Sequence, residues 1–250
     1  MAFSEVSTAS PAKQSSRSRA EAFFFPLMAV LIVATVLLGF ARTFFLAPLY
    51  HYELPNPLVA VHGTVFSAWI ALFAVQATLV PAERLDLHKR LGVAGVYLLG
   101  LVVLLGCLIM LEGLRRDVSL PGLEEARIFS LNLVGFSVAV ALLWRGLLLR
   151  RDPQTHKRLM LLGTVVLVGP AVVRWPFGFV ALHPPMVGLV LDGFTLLTMA
   201  FDLETRGRVH RATLAGGAAI FVVPPIALAL SSALFFRDFL KWLQQALLKL

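Results

Sequence analysis

Residues 22–40 read AFFFPLMAVLIVATVLLGF, and no Asp, Glu, Lys or Arg interrupts the chain between Glu21 and Arg42. A helix rises about 1.5 Å per residue, so about 20 apolar residues cross the hydrocarbon core of a bilayer. This stretch meets that length without a break. Six more meet it downstream, which gives predicted spans over 22–46, 57–81, 90–112, 126–149, 157–179, 185–203 and 212–235. Proline and charge mark most of the joints between them: Pro55 and Pro57, Arg84 with Asp86, Pro121, Asp152 with Pro153, and Pro184 with Pro185. The fold class expected is an all-α, polytopic transmembrane bundle of seven spans.

The composition agrees. Of 250 residues, 58% are hydrophobic and 14% charged, and the mean hydropathy is +0.84. A soluble domain carries about 25% charged residues and cannot hide this much apolar surface. The single cysteine, Cys107, excludes an intrachain disulfide and any multi-cysteine metal site. A net charge of +8 invites a nucleic-acid reading, but the bases flank apolar spans. They therefore speak for membrane topology and for anionic lipids at the cytoplasmic face, and no nucleic-acid partner is expected.

Around the seven spans (21–236) the sequence predicts a disordered cytoplasmic tail over 1–20, rich in Ser, Ala, Lys and Arg. The tail resembles the basic start of a signal peptide. The apolar stretch after it is too long, and no small-residue cleavage site closes it, so the first span is read as uncleaved. The segment 237–250 reads as an amphipathic helix, lying at the interface or continuing the last span straight on. Phe239, Leu240, Trp242, Leu243, Leu247 and Leu250 fall mostly on one face, while Lys241 and Lys249 fall elsewhere. The tail and the second, fourth and sixth loops hold 13 of the 22 Lys and Arg residues, against six on the other side. That bias predicts a cytoplasmic N-terminus and an outer C-terminus.

The three basic loops share a pattern. They read Arg84-Leu-Asp-Leu-His88-Lys89-Arg90-Leu91-Gly92, Arg151-Asp152-Pro-Gln-Thr-His156-Lys157-Arg158-Leu159 and Arg206-Gly-Arg-Val-His210-Arg211-Ala-Thr-Leu214. Each sets a histidine and one or two bases where a span begins. The pattern suggests one leading helix followed by three related hairpins. His88, His156 and His210 then form a candidate cytoplasmic-face cluster. Three imidazoles are a plausible metal set by type, but six adjacent cationic residues oppose it. No metal is expected, and topology or an anionic headgroup is the plainer role.

Charged side chains within spans mark function or a paired structural lock. Arg42, His62, Arg174 and Asp192 all fall in the predicted outer half, with Asn132 at a similar depth. These five are the candidate ligand-binding residues. Arg174 with Asp192 also reads as an internal ion pair joining two spans. Two arginines and one aspartate leave a net positive pocket that suits a small anion, a quinone-like carbonyl or a lipid headgroup. His62, Trp69 and Gln76 are spaced by seven and share a face of the second span. His156 and Arg174 are 18 apart, five helical turns, and would share a face of the fifth. Asp202 and Glu204 stand beside Arg206 and Arg208 and are expected to pair locally.

Several chemistries lack their residues. The seventh span has no lysine for a retinal Schiff base, and no phosphate-binding Gly-rich Lys loop, His-Glu-x-x-His or Gly-x-Ser-x-Gly motif occurs. A haem b is the one cofactor weighed, held by His62 with His51 or His183. A scaffold role, with a membrane-protein partner or a second copy of the chain, stands as a further alternative. No catalytic residue is assigned.

The segments His62-Gly63-x-x-Phe66-x-x-Trp69, Asp86-Leu-His88-Lys89-Arg90-Leu91-Gly92, His156-Lys-Arg-Leu-Met160, Arg174-Trp175-Pro176-Phe177 and Asp202-Leu-x-x-Arg206-Gly-Arg208-Val-His210 together resemble a set of uncharacterised bacterial multi-span inner-membrane proteins. The resemblance covers most of residues 40–215. It implies a bacterial inner-membrane location and a helical architecture, and it carries over no catalytic residue. Such proteins often have an arginine in the last span; here Pro224-Pro225-Ile226 lies there instead.

Overall fold

The structure is a computed structural model that describes residues 11–116, 124–177 and 185–249. Among the described residues there are helices and no strand. Among the described residues, seven helical stretches are long and apolar enough to cross a membrane: Arg19–Phe45, Pro57–Leu79, Leu85–Arg115, Glu125–Leu148, Pro153–Val173, Pro185–Arg206 and Arg211–Ser232. The chain is an all-α, multi-pass membrane bundle.

Helix α1 covers Pro11–Phe40 and runs on through a π-helical turn, Ala41–Phe45, and a 3-10 turn, Ala47–Tyr50. It begins at Pro11, so the second half of the segment read as an irregular tail is helical, while residues 1–10 lie outside the described residues. Proline suits a first helical position, and Ala, Lys, Gln and Arg propagate a helix well. Pro26 stands inside α1 without ending it.

Helices α2 (Pro57–Leu79) and α3 (Leu85–Arg115) pack side by side, as do α4 (Glu125–Leu148) and α5 (Pro153–Leu167). Asn56 caps α2 by accepting a hydrogen bond from the Val59 amide, and Asp152 caps α5 through Gln154 and Thr155. The short α6 (Gly169–Val173) follows α5 after a break at Val168, where Pro170 cannot continue the hydrogen-bond ladder. That break removes the premise that His156 and Arg174 share one uninterrupted face. α7 (Pro185–Arg206) packs on α8 (Arg211–Phe221), and α9 (Val223–Ser232) continues the seventh span past a second break at Pro224 and Pro225.

Where the spans cross, small residues set the spacing. A Cβ at Gly39 would run into the backbone carbonyl of Ala171, so α1 and α6 touch backbone to backbone there. The main core joins α1, α2, α3, α5 and α7 through Met28, Ile32, Trp69, Val102, Leu161, Val165 and Phe194. Close backbone approach of this kind is how membrane helices gain packing contacts, because lipid is as apolar as the core.

The C-terminal segment is a separate helix, α10 (Leu234–Leu247), not a straight continuation: Ala233 is extended (φ −74°, ψ 124°). Phe236 and Leu240 are buried against Leu114, Phe129 and Leu133, at the ends of α3 and α4. Phe235, Phe239 and Trp242 stay exposed, the last two with stacked rings 5.9 Å apart.

Candidate functional site

The ends of the bundle hold two polar groupings. One lies at the end carrying the three histidine loops. Arg158 of α5 and Asp202 of α7 are fully buried and form a two-pronged ion pair. Asp202 also accepts hydrogen bonds from the Thr213 hydroxyl (2.6 Å) and the His210 amide (3.0 Å), at the head of α8. Arg158 donates to the Gln154 carbonyl (2.9 Å) and to Gln154 Oε1 (2.8 Å). Around this pair, Lys157 meets Glu21 of α1 at 2.6 Å and lies over the Phe25 ring at 4.7 Å. Arg206 bonds Gln154 and reaches Glu21 and Asp202 at 3.7 and 3.8 Å.

This network ties α1, α5, α7 and α8 together. Both Asp202 oxygens are engaged, and two of the Arg158 nitrogens are spent on it while the third serves Gln154. A buried carboxylate and guanidinium so fully matched present no free valence to a ligand. The sequence reading placed Asp202 in a local pair with Arg206 or Arg208; the structure gives it a partner on another span, with Arg206 a secondary contact. Asp202 falls in the apolar run Thr-Met-Ala-Phe-Asp-Leu at 198–203, and that setting was the available signal for a cross-span partner.

The three histidines diverge. His210 caps α8: its Nδ1 accepts from the Ala212 amide at 3.1 Å. Burial, then the charges of Arg158 and Arg206, hold its imidazole below the usual value of 6.5. Asp152, bonded by the Thr155 hydroxyl at 2.6 Å, is held below the usual carboxylate range. His88 and His156 do meet, with ring centres 6.4 Å apart and planes at 88°. Among the described residues no group of three or more His, Cys, Asp or Glu side chains is placed to share a metal. Arg145 is exposed in the last turn of α4, as expected of a snorkelling arginine.

The opposite end holds most of the five predicted ligand-binding residues. His62 of α2 is half-buried, its ring 4.2 Å from that of Phe66, and it faces the backbone of Leu105 on α3. Its Nδ1 is buried with no hydrogen-bond partner, and so is the Thr43 hydroxyl. Arg174, just past α6, lies over the Phe40 ring at 5.1 Å and donates from Nη1 to the Pro170 carbonyl at 2.8 Å. It stands close enough to His62 and to Tyr52 for charge to act between them. Arg42 lies over Tyr50 at 5.4 Å.

Two of the five stand apart. Arg174 and Asp192 do not form the ion pair that the sequence suggested; the ring of Phe40 and a carbonyl of its own chain occupy the guanidinium instead. Asp192 is half-buried on α7, and Asn132 is exposed on α4 with no hydrogen bond among the described residues. For the haem reading, His51 is exposed in a left-handed turn (φ 52°) without ring contact to His62, and His183 lies outside the described residues.

Beside this grouping a groove of about 670 Å³ runs between α1 and α7. Leu31, Thr35 and Leu38 line one wall and Val190, Phe194 and Leu197 the other. Trp175 lines it too, next in sequence to Arg174, with its indole N–H bonded to the Thr35 carbonyl at 3.2 Å. The walls are almost wholly apolar. Comparison of the chain with protein-family models, with curated proteins and with solved structures returns no match.

Proposed function

We propose that this membrane protein binds an amphiphile with an anionic headgroup, the head on Arg174 and the tail in the groove between α1 and α7. The observation that carries this reading is the position of Arg174: an exposed arginine, only one of whose guanidinium nitrogens is hydrogen-bonded, next to the tryptophan that lines an apolar groove. A guanidinium offers five donors and matches phosphate or carboxylate in two-pronged fashion. The unpartnered His62 Nδ1 and Thr43 hydroxyl supply polar contacts on the same side, and Arg42 adds positive charge. An open apolar groove beside a cation suits an acyl chain with its headgroup better than a small inorganic anion.

The distribution of Lys and Arg supports a setting for the site. With the three histidine loops on the cytoplasmic side of a bacterial inner membrane, the N-terminus is cytoplasmic, the C-terminus lies outside, and the amphiphile sits in the outer leaflet.

Fluorescence of Trp175 tests the reading. The protein is reconstituted with brominated phosphatidylglycerol or brominated phosphatidylcholine, and the Trp175 component is taken as the difference from a W175F sample. The anionic lipid should quench at a mole fraction about tenfold lower, the range of one charged hydrogen bond. Arg174→Gln should erase the preference. Equal quenching by both lipids in the unaltered protein marks an ordinary annular contact and ends the proposal.

A further inference from the structure

The meeting of His88 and His156 serves neither the buried network nor the groove. His156 sits one turn into α5, and its Nδ1 lies 2.8 Å from the Gly146 carbonyl of α4. A carbonyl only accepts, so Nδ1 carries the hydrogen and Nε2 keeps its lone pair. His88, on α3, is half-buried, and its Nδ1 is buried with no hydrogen-bond partner. Gln76 of α2 anchors that turn by donating to the His88 backbone carbonyl at 3.1 Å. Met160 lies one turn beyond His156 on the same face of α5, with its sulfur packed against Gly146 as well.

The spacing of the two rings is informative. An imidazole nitrogen binds a metal at about 2.0 Å, and the ring centre lies about 1.2 Å further back. Two rings on opposite sides of one ion therefore have centres about 6.4 Å apart, while a tetrahedral angle brings them to about 5.2 Å. The observed separation is 6.4 Å with the planes perpendicular, so an ion fits on the line between the rings once a free nitrogen of each is turned toward it. Near-linear binding by two imidazoles suits Cu(I), a soft monovalent ion, and a thioether is one of its preferred further ligands. The nearby bases oppose a divalent ion more strongly than a monovalent one.

We infer that His88 and His156 form a two-imidazole Cu(I) site at the histidine-loop end of the bundle, with Met160 as a weak third ligand. The Gly146 carbonyl acts as a positioning group that fixes the His156 tautomer. The inference is independent of the amphiphile site at the other end.

The test is an anaerobic titration of the purified full-length protein with Cu(I), in competition with a colorimetric Cu(I) chelator. One Cu(I) per chain is expected, with X-ray absorption showing two nitrogen ligands in a near-linear arrangement. His156→Asn keeps an amide N–H for the Gly146 carbonyl and loses Nε2. His88→Asn removes the imidazole, whose ring lies against the Gln76 backbone, and leaves the Gln76 bond to the backbone carbonyl of residue 88 in place. Each should weaken Cu(I) binding by more than about 100-fold, and Met160→Leu by about 10-fold. Thermal melts confirm that the variants fold; if His156→Asn does not, His88→Asn and the absorption spectrum of the unaltered protein carry the test. The inference is overturned if no copper is retained, if both asparagine variants bind as the parent does, or if Zn(II) binds the pair at least as tightly. A Soret band that vanishes in both variants would also overturn it, by assigning the two histidines to haem iron.

Discussion

The polar clusters around Arg158 and around Arg174 solve the problem of polar groups near a membrane in opposite ways. At the Arg158–Asp202 end the charged groups are sealed in protein and matched: a guanidinium, a carboxylate, a hydroxyl, a glutamine and a helix-capping amide complete one another. Around Arg174 the polar groups are spread over aromatic rings, and His62 Nδ1 and Thr43 Oγ1 go without partners; elsewhere at that end Glu112 is matched by Arg115, Arg116 and Asn56, and beside the lock His88 Nδ1 is unpartnered too. Saturated networks hold helices together, whereas unsaturated ones leave valences for something else to fill. The fully buried Arg158–Asp202 pair is a lock, and the looser cluster around Arg174 is a place to seek a ligand.

The comparison breaks most sharply at Arg158. Removing one partner of a buried pair strands the other charge, so Arg158→Ala should cost about 3–5 kcal/mol, seen as loss of the folded fraction in thermal melts in detergent. Replacing both, as Arg158→Met with Asp202→Leu, should cost distinctly less. If the single and double variants melt alike, the pair is not the lock described here.

Gly39 probes the backbone crossing beneath Arg174. Gly39→Ala pushes a methyl into the Ala171 carbonyl and forces α1 away from α6. A loss of about 1–3 kcal/mol is expected, together with a shift in Trp175 emission, because its indole is bonded to Thr35 of α1. An unshifted spectrum would show that the groove wall does not depend on this crossing.

His210 gives a pH handle on the saturated end. Its folded value lies below the usual 6.5, so the folded state binds fewer protons than the unfolded one. Its contribution to stability is complete above pH 6.5 and is lost as the pH falls through the folded value. His210→Asn keeps a capping oxygen for the Ala212 amide and should flatten the fall in melting temperature that the parent shows on the acid side of that pH. An unchanged slope would place the titration elsewhere.

The smallest effect on stability is expected at Arg174. Its guanidinium holds no carboxylate, so Arg174→Gln should shift stability within about 0.5 kcal/mol while it removes the anionic-lipid preference. A large drop in melting temperature would move Arg174 into the class of Arg158 and dissolve the contrast.

The spans were legible because hydrocarbon thickness imposes a length that apolar runs reveal directly. Pro57 and Pro185 open helices where the sequence puts them, and the joint at Asp152-Pro153 is the cap of α5. The break at Val168 was harder to read, since Pro170 and Pro176 both interrupt that span and only packing shows which one divides it. The inward face of α2 was legible from spacing alone: Trp69 is buried and Gln76 reaches the turn of α3. Partner choice was not. Arg158 is one base among several in a repeated loop motif, and nothing local separates it from Arg151 or Arg90, which stay exposed. Its meeting with Asp202, 44 residues away, exists only once α5 and α7 are packed. The same holds for Arg174, whose pairing with Asp192 was a charge argument that the ring of Phe40 pre-empts.

Helix α10 adds a consequence of its own. It is pinned by Phe236 and Leu240 to the ends of α3 and α4, and it turns Phe235, Phe239 and Trp242 outward. Aromatic rings of this kind seek the headgroup level of a bilayer. The basic loops define the headgroup level at the other end. The length of the packed spans sets the distance between the two, so the depth of bilayer that suits both ends follows from the fold. In a bilayer of mismatched depth the strain falls first on the Ala233 bend, the joint between the last span and this surface float.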